Sequence, residues 1–371
     1  MSCVLFSPIE FRSLKLNNRI AVSSMCQYAA EKGSAIDWHL MHLGQFSMGA
    51  AALVMTEATA VSAAGRITHK CLGLYSDDNE AALKRVVDFC RRYGVTALGI
   101  QLAHAGRKAS AQVPSAGGKS LAADENSWTT LAPSAIPFAP DWHVPQMLSR
   151  EGLAAVKAEF VAAAKRAERI GFDLAEVHGA HGYLLHQFLS PLSNQRDDEY
   201  GGKLENRMRF PLEVFEAVRA VWPDDKPLGI RISATDWMDG GWNEKESLVF
   251  AGALKSLGCD FIDVSSGGLD LRQKITFGPG YQVPLSAHIR NEAGIATWTV
   301  GMITKARQAE DIIASGQADM VALARGMMFD PRWAWHAAEE LGADTEYSRM
   351  YARCRPSQWP QVFPWRDYNP S

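Results

Sequence analysis

Eight times along the chain, a short run of branched apolar residues is followed by a stretch with helical spacing. The runs are Arg19–Met25, Ala52–Val61, Ala97–Ala103, Phe172–His178, Leu228–Ser233, Phe261–Ser265, Ile295–Val300 and Met320–Ala324. Most are too apolar for a strand with one wet face and fit parallel strands covered on both sides. Helix ends are legible between them. Asp77–Tyr93 opens on an aspartate cap and stops before Gly94, and Ser149–Ile170 has Ser149 as cap and Gly171 as stop. Glu246–Leu257 ends at Gly258, and Thr304–Ala314 ends near Gly316. The alternation predicts an α/β fold, a (β/α)8 TIM barrel in a single domain. A doubly wound open sheet is the competing arrangement, but no G-x-G-x-x-G follows the first strand to support it.

Two segments break the rhythm. Residues 107–148, rich in Pro, Ala, Gly and Ser, lie between the third strand and its helix. In a barrel such an insertion stands on the catalytic face, so it reads as a cap over the site; a passive insertion is the plainer alternative. Residues 343–371 form a C-terminal extension beyond a barrel spanning 1–342. There is no internal repeat and no low-complexity tract.

With 371 residues, 47% of them hydrophobic, the chain can bury a full core without staples. A formal charge of −3 leaves no basic footprint for nucleic acid or for an anionic membrane surface. No apolar run reaches the ~18 residues of a spanning helix. Met1–Glu10 lacks the basic-then-apolar order of a secretory signal. Cys3, Cys26, Cys71, Cys90, Cys259 and Cys354 are too scattered for C-x-x-C pairs. Reduced thiols and a cytoplasmic location are expected.

On such a barrel the site is built where the strands end. The richest strand end reads His178-Gly179-Ala180-His181-Gly182-Tyr183. Two histidines three apart can turn toward one spot, each donating an N–H to a carbonyl or nitro oxygen. Tyr183 adds a phenol able to release one proton in a dry site. The alternatives are a structural histidine pair, or His178, His181 and His186 as metal ligands. No carboxylate at helical spacing from the pair supports the latter, and no metal is expected.

Arg231 and Gln101 are polar residues inside apolar strands. Arg231 reads as a fixed cation beside an anionic ring edge, or else as half of a buried salt bridge with Glu176. Gln101 can hydrogen-bond a flat heterocycle through both edges of its amide. The seventh and eighth strands end in Gly301 and in Arg325-Gly326. Barrels of this class hold a phosphate there through backbone N–H groups, and Arg325 could add a bidentate clamp. Together these fit a phosphorylated flat cofactor lying across the barrel mouth, a shape that FMN has.

Several strings are shared with one known family. They are Asn17-Asn18-Arg19-Ile20, Ser24-Met25-Cys26-Gln27-Tyr28, QLAHAGRK from Gln101 to Lys108, and Ala132-Pro133-Ser134. The longest is HGAHGYLLHQFLSPLSNQR from His178 to Arg196, followed by DEYGG from Asp198 to Gly202 and by Glu205-Asn206-Arg207. On these residues, from Phe6 to about Glu340, the chain resembles the Old Yellow Enzyme family of FMN-dependent ene-reductases. Within it, the chain is similar to the bacterial group with a cysteine beside the flavin.

The resemblance implies a role for each matching residue. Ser23, Ser24, Met25 and Cys26 would lie at the flavin, with Cys26 near N5 and O4, where it tunes the potential. Ala58 and Gln101 would hydrogen-bond the ring, and Arg231 would face N1 and O2. Gly301, Ala324 and Arg325 would hold the phosphate. His178 and His181 would bind the activating oxygen of the substrate, Tyr28 would line the pocket, and Tyr183 would donate the proton. Taken alone, Cys26 reads as an inert core thiol. The chain departs from the pattern at Ser24, where proline is usual, and at Ala324, where glycine is common. Relatives often end in a segment whose arginine reaches a neighbouring subunit's site; Arg353, Arg355 and Arg366, among Trp359 and Trp365, are the candidates.

The activity so implied is NAD(P)H-driven reduction of the C=C bond of α,β-unsaturated carbonyl or nitro compounds. FMN would be held tightly without a covalent link, with NADPH or NADH as co-substrate. The implied partners are small molecules and further copies of the chain, as a homodimer or higher oligomer, with no nucleic acid and no membrane. The competing functions are a flavin barrel acting on another substrate class, such as dihydropyrimidines, and a metal-dependent hydrolase barrel.

Overall fold

The computed structural model describes residues 3–358. Among them, eight parallel strands close into a barrel in sequence order. They are β1 (Ile20–Val22), β2 (Leu53–Ala60), β3 (Ala97–Ala103), β4 (Leu174–Gly179), β5 (Leu228–Ser233), β6 (Phe261–Ser265), β7 (Ala296–Thr299) and β8 (Met320–Leu323). Each overlaps its predicted run, with ends that differ by up to three residues; β1 stops at Val22, three residues short of Met25, and β4 begins at Leu174, two past Phe172. β2, β4, β5, β6 and β8 are buried end to end, because helices cover the outer face and side chains fill the inside.

The helices are α1 (Asp37–Ser47), α2 (Asp77–Tyr93), α3 (Arg150–Ile170), α4 (Leu184–Leu189), α5 (Leu204–Arg219), α6 (Glu244–Ser256), α7 (Val283–Ala293), α8 (Ala306–Ala314), α9 (Arg325–Phe329) and α10 (Trp333–Leu341). Their ends follow capping chemistry. Ser149 Oγ accepts the Gly152 N–H, and Gly171 closes α3 at φ +96°. The cap of α2 is Ser76 rather than Asp77: the hydroxyl accepts from Asn79, and Asp77 becomes the first helical residue, where the helix dipole favours a negative charge. α6 starts two residues before the expected Glu246, because Asn243 caps the N–H groups of Lys245 and Glu246. No helix among the described residues is long and apolar enough to cross a membrane.

One element has no period to betray it. Ile9–Phe11 and Leu14–Leu16 pair as an antiparallel hairpin, too short for alternation to show, and it stoppers the N-terminal end of the barrel. Phe11 meets the rings of Phe261 and Trp298 edge-on at 5.8 and 6.4 Å, and those two stack at 4.0 Å. With Leu53, Met55, Leu174 and Met320 they form an apolar plug. Such ring pairs add ~1 kcal/mol each beyond the area they bury.

Above the plug the interior turns polar, and strand register does it. Gln101 stands opposite Glu176, His178 opposite Arg231, and Arg231 opposite Asp263. Residues paired across strands share a face. Leu174, two residues before Glu176, belongs to the plug, so that face is the interior.

Residues 107–148 hold 3-10 turns and one two-residue strand pair, Leu131–Ala132 with Gln146–Met147. The segment is tied to loops that follow barrel strands. Arg107 Nη2 donates to Leu269 O at 2.9 Å, Gln195 N–H to Ser134 Oγ at 2.8 Å, and Arg196 Nη1 to Pro133 O and Leu148 O at 3.1 and 2.7 Å. At the opposite end, Asp344–Glu346 and Arg355 line a cleft with Asn17 and Asn18. Arg355 donates to Thr345 O and lies 5.3 Å from the Tyr347 ring centroid. Arg353 is exposed, and Trp359, Trp365 and Arg366 lie outside the described residues.

Candidate active site

The floor of the barrel mouth is an ion network. Arg231 Nη1 donates to Ser23 Oγ at 2.9 Å, and its Nε lies 3.3 Å from Asp263 Oδ2. The carboxylate expected beside it, Glu176, accepts from Gln101 Nε2 at 2.7 Å instead. Register explains the exchange: Asp263 stands directly across from Arg231, whereas Glu176 stands across from Gly229. Burial and the Asp263 carboxylate push the Glu176 carboxyl up, against the opposing pull of Arg231. Among the described residues, none accepts from Arg231 Nη2 and none donates to Gln101 Oε1.

The rings of His178, His181 and Tyr183 lie together at the end of β4. Ring centroids of His178 and His181 are 5.2 Å apart, and those of His178 and Tyr183 are 5.1 Å apart. His178 Nδ1 accepts the Ala180 N–H at 3.3 Å, so the neutral ring carries its proton on Nε2. Burial and then Arg231 hold both imidazoles well below 6.5 and therefore neutral. His181 sits at φ +55°, with its N–H on Ser233 Oγ at 2.9 Å and its Nε2 2.7 Å from Ser265 Oγ. Gly182 follows at φ +71°, where a Cβ would strike the Gly268 backbone, so only glycine lets this turn close. Burial, Cys26, Tyr28 and Cys71 push the Tyr183 phenol well above 10, so it keeps its proton at neutral pH.

His186 takes no part in the cluster. Its Nδ1 accepts from Gly182 N–H at 2.9 Å, and its Nε2 lies 2.9 Å from Asp236 Oδ1 inside the wall. Among the described residues, no three His, Cys, Asp or Glu side chains are grouped to hold a metal ion.

The segment after β1 carries Ser23, Ser24, Met25, Cys26 and Tyr28. Gln27 N–H donates to Glu57 Oε2 at 3.2 Å, Trp38 Nε1 to Gln27 Oε1 at 3.2 Å, and Gln27 Nε2 to Met25 O at 3.0 Å. Tyr28 follows at φ +53°. Burial, Cys71 and Glu57 push the Cys26 sulfur well up despite its hydrogen bond with Tyr28, so it is a thiol and not a thiolate. Burial also raises the Tyr28 phenol. Ser24 Oγ is buried with no partner. A bulge between Met55 and Ala58 resets β2 so that Ala58 pairs with Gln101.

Gly301, two residues past β7, sits at φ +109°, where a Cβ would come within 2.7 Å of Gln282 Nε2. Ala324 caps α9 without a side-chain bond, and Arg325 is exposed, with no ion pair or hydrogen bond among the described residues. Sequence reasoning passed over Lys108, which it met only inside a motif. Its Nζ donates to His181 O and Gly268 O at 2.9 Å each and lies 5.0 Å from the Tyr183 ring centroid. Burial and then Arg107 lower its pKa to about 8.

Residues 4–344 match the profile of the NADH:flavin oxidoreductase / NADH oxidase family. The chain belongs to that family. It is a flavin oxidoreductase of the Old Yellow Enzyme type, as its motifs suggested. Among curated relatives, the NADPH dehydrogenase of Geobacillus sp. (strain WCH70) is 43% identical over 355 residues, covering 95% of this chain and 99% of that protein. The NADPH dehydrogenase of Listeria innocua is 43% identical over 351 residues, covering 94% and 98%. Among solved structures, morphinone reductase superposes with a TM-score of 0.76 at 26% identity, covering 92% of this chain and 90% of that one.

FMN is the flavin of this family, and the residues present fit it. Among the described residues, Arg231 Nη2 has no acceptor and Gln101 Oε1 has no donor. The flavin edge offers acceptors at N1 and O2 and a donor at N3–H, which complement those two atoms.

Proposed function

We propose that this flavin oxidoreductase is an ene-reductase, reducing the C=C bond of α,β-unsaturated carbonyl or nitro compounds with NADPH or NADH. The observation that carries this reading is the convergence of His178, His181 and Tyr183 beside the Arg231–Gln101 floor. When bound, FMN supplies the hydride chemistry, taking two electrons from the nicotinamide and passing them to the β-carbon of the alkene.

The side chains do the rest. Arg231 and Gln101 hold the ring edge, with Ser23, Ser24, Met25, Cys26 and Ala58 around it. Gly301, Ala324 and Arg325 hold the phosphate. His178 donates from Nε2 to the carbonyl or nitro oxygen. If Ser265 donates to His181 Nε2, the second imidazole keeps its proton on Nδ1 and donates from there. Two neutral donors stabilise the charge that develops on that oxygen, as an oxyanion hole does. Tyr183 gives its phenolic proton to the α-carbon and recovers one from solvent, and Tyr28 lines the pocket. Residues 107–148 cap the barrel of 1–342, an arrangement supported by their ties to Leu269, Gln195 and Arg196. The six free cysteines among the described residues suit a cytoplasmic setting. A homo-oligomer is the proposed assembly.

Isotope placement tests the reading. With 2-cyclohexenone and protiated NADPH in D2O, deuterium should enter the α-carbon alone. With nicotinamide deuterated at the transferred position, in ordinary water, it should enter the β-carbon. Deuterium from solvent at both carbons would overturn the assignment.

A further inference from the structure

Among the described residues, the polar layer around Arg231 holds two carboxyl groups, Glu176 and Asp263, and one cation. Glu176 and Asp263 are 1% and 2% exposed, and Arg231 is 7% exposed. Arg231 stands against Asp263 at 3.3 Å, whereas Glu176 has only the neutral Gln101 amide at 2.7 Å. Glu176 Oε2 and Asp263 Oδ1 are buried with no hydrogen-bond partner. A second buried carboxylate without a cation costs far more than the neutral acid, so one proton resides on the pair.

Among the described residues, the surroundings offer nothing else to balance that charge. Gln101 on β3 and Ser23, just after β1, are neutral. His178, two residues along β4, is held neutral by burial and by Arg231. Burial pushes the Cys259 thiol, just before β6, far up. That leaves Arg231 on β5 and Asp263 on β6. Burial and Asp263 raise Glu176, and burial raises Asp263, in the sense the charge count requires.

We propose that Glu176 is a positioning residue for the flavin: it turns the Gln101 amide so that its carbonyl oxygen faces the ring, and with Asp263 it keeps one exchangeable proton beneath Arg231. This rests on the reading above that Gln101 and Arg231 face the ring. Gln101 spends an N–H on Glu176 Oε1, so Oε1 of the glutamine is left for the cofactor, and the proton sits comfortably on the orphaned Glu176 Oε2. With the proton in place the layer is neutral, one guanidinium against one carboxylate. When the proton leaves to solvent the layer becomes negative and opposes electron uptake by the ring. Only an O–H bond is made or broken.

The test uses the holoenzyme and its apoprotein, reading the midpoint potential of the flavin against pH and the Kd for FMN. In the wild type, potential against pH should bend where the pair loses its proton. Glu176→Gln keeps an acceptor for Gln101 but cannot titrate, so the bend should vanish while Kd stays within about threefold. Glu176→Leu also removes the acceptor and should weaken FMN about tenfold. Asp263→Asn leaves Glu176 alone with Arg231, ionised, and should abolish the bend too; this near-isosteric change serves if the leucine variant does not fold. A bend that persists in Glu176→Gln, or unchanged FMN affinity in Glu176→Leu, overturns the proposal. Gln101→Leu separates the two claims: if it moves neither Kd nor potential, the ring does not lie on Gln101, and the proposal fails along with that placement.

Discussion

His181 Nε2 and Ser265 Oγ lie 2.7 Å apart, close enough for the hydroxyl to decide which ring nitrogen keeps the proton. Ser265 Oγ is itself 3.4 Å from Gln282 Oε1, a looser contact than the 2.6 Å from Ser266 to the same oxygen. Ser265 is therefore free to donate to the imidazole. Ser265→Ala should weaken binding of a simple phenol or enone about tenfold, through loss of one positioned hydrogen bond, while FMN stays bound. The ligand Kd from visible titration checks it. Unchanged affinity would make the serine a bystander.

Burial, Cys26, Tyr28 and Cys71 raise the Tyr183 phenol, which suits it to the proposed role of proton donor. Tyr183→Phe should slow alkene reduction by about 10²–10⁴-fold, the usual range for losing a general acid. Flavin reduction by NADPH, which needs no proton from this phenol, should barely change. Stopped-flow measurement of the two half-reactions separates them. Equal slowing of both would remove Tyr183 as the donor.

Cys26 is raised by burial, Cys71 and Glu57, so its sulfur is a poor nucleophile at neutral pH. Peptide-level mass spectrometry after brief iodoacetamide treatment of the apoprotein should show Cys26 reacting far more slowly than the exposed Cys354. Cys26→Ala should shift the flavin potential without abolishing turnover. Faster labelling at Cys26 than at Cys354 would mean a thiolate in the site.

His178 and His181 bind protons less readily in the fold than in the unfolded chain, as do His42 and His104, both lowered to about 4 by burial. Below pH 6.5 the unfolded chain takes up protons that the fold refuses. Stability should therefore fall as pH drops from 6.5, by ~1.4 kcal/mol per pH unit for each such group, and these groups give no slope above it. Thermal unfolding of wild type and His178→Gln across this range tests it. The variant should show the shallower acid slope; an equal slope would mean His178 titrates normally.

The barrel was legible because all eight strands are buried on two faces and so carry apolar runs that surface strands would not. The hairpin around Phe11 escaped, since three residues per strand cannot display a period of two. The caps at Ser76 and Asn243 were missed by one to three residues, because Asp77 and Glu246 are themselves good first-turn residues. Arg231 and Gln101, polar among apolar neighbours, were legible as residues of the barrel interior. Their partners were not: only register puts Asp263, and not Glu176, across from Arg231. Lys108 was hidden because its partners are the carbonyls of His181 and Gly268, and backbone acceptors leave no mark on a sequence.

The central claim is that electrons pass from a nicotinamide, through FMN, to an activated alkene at this one mouth. An anaerobic titration of the purified holoenzyme, followed by visible absorbance, tests it most directly. The account predicts a yellow flavin spectrum that bleaches with NADPH and returns in full with one equivalent of 2-cyclohexenone. A protein that carries no flavin after reconstitution, or one that bleaches and is not reoxidised by the enone, would contradict it.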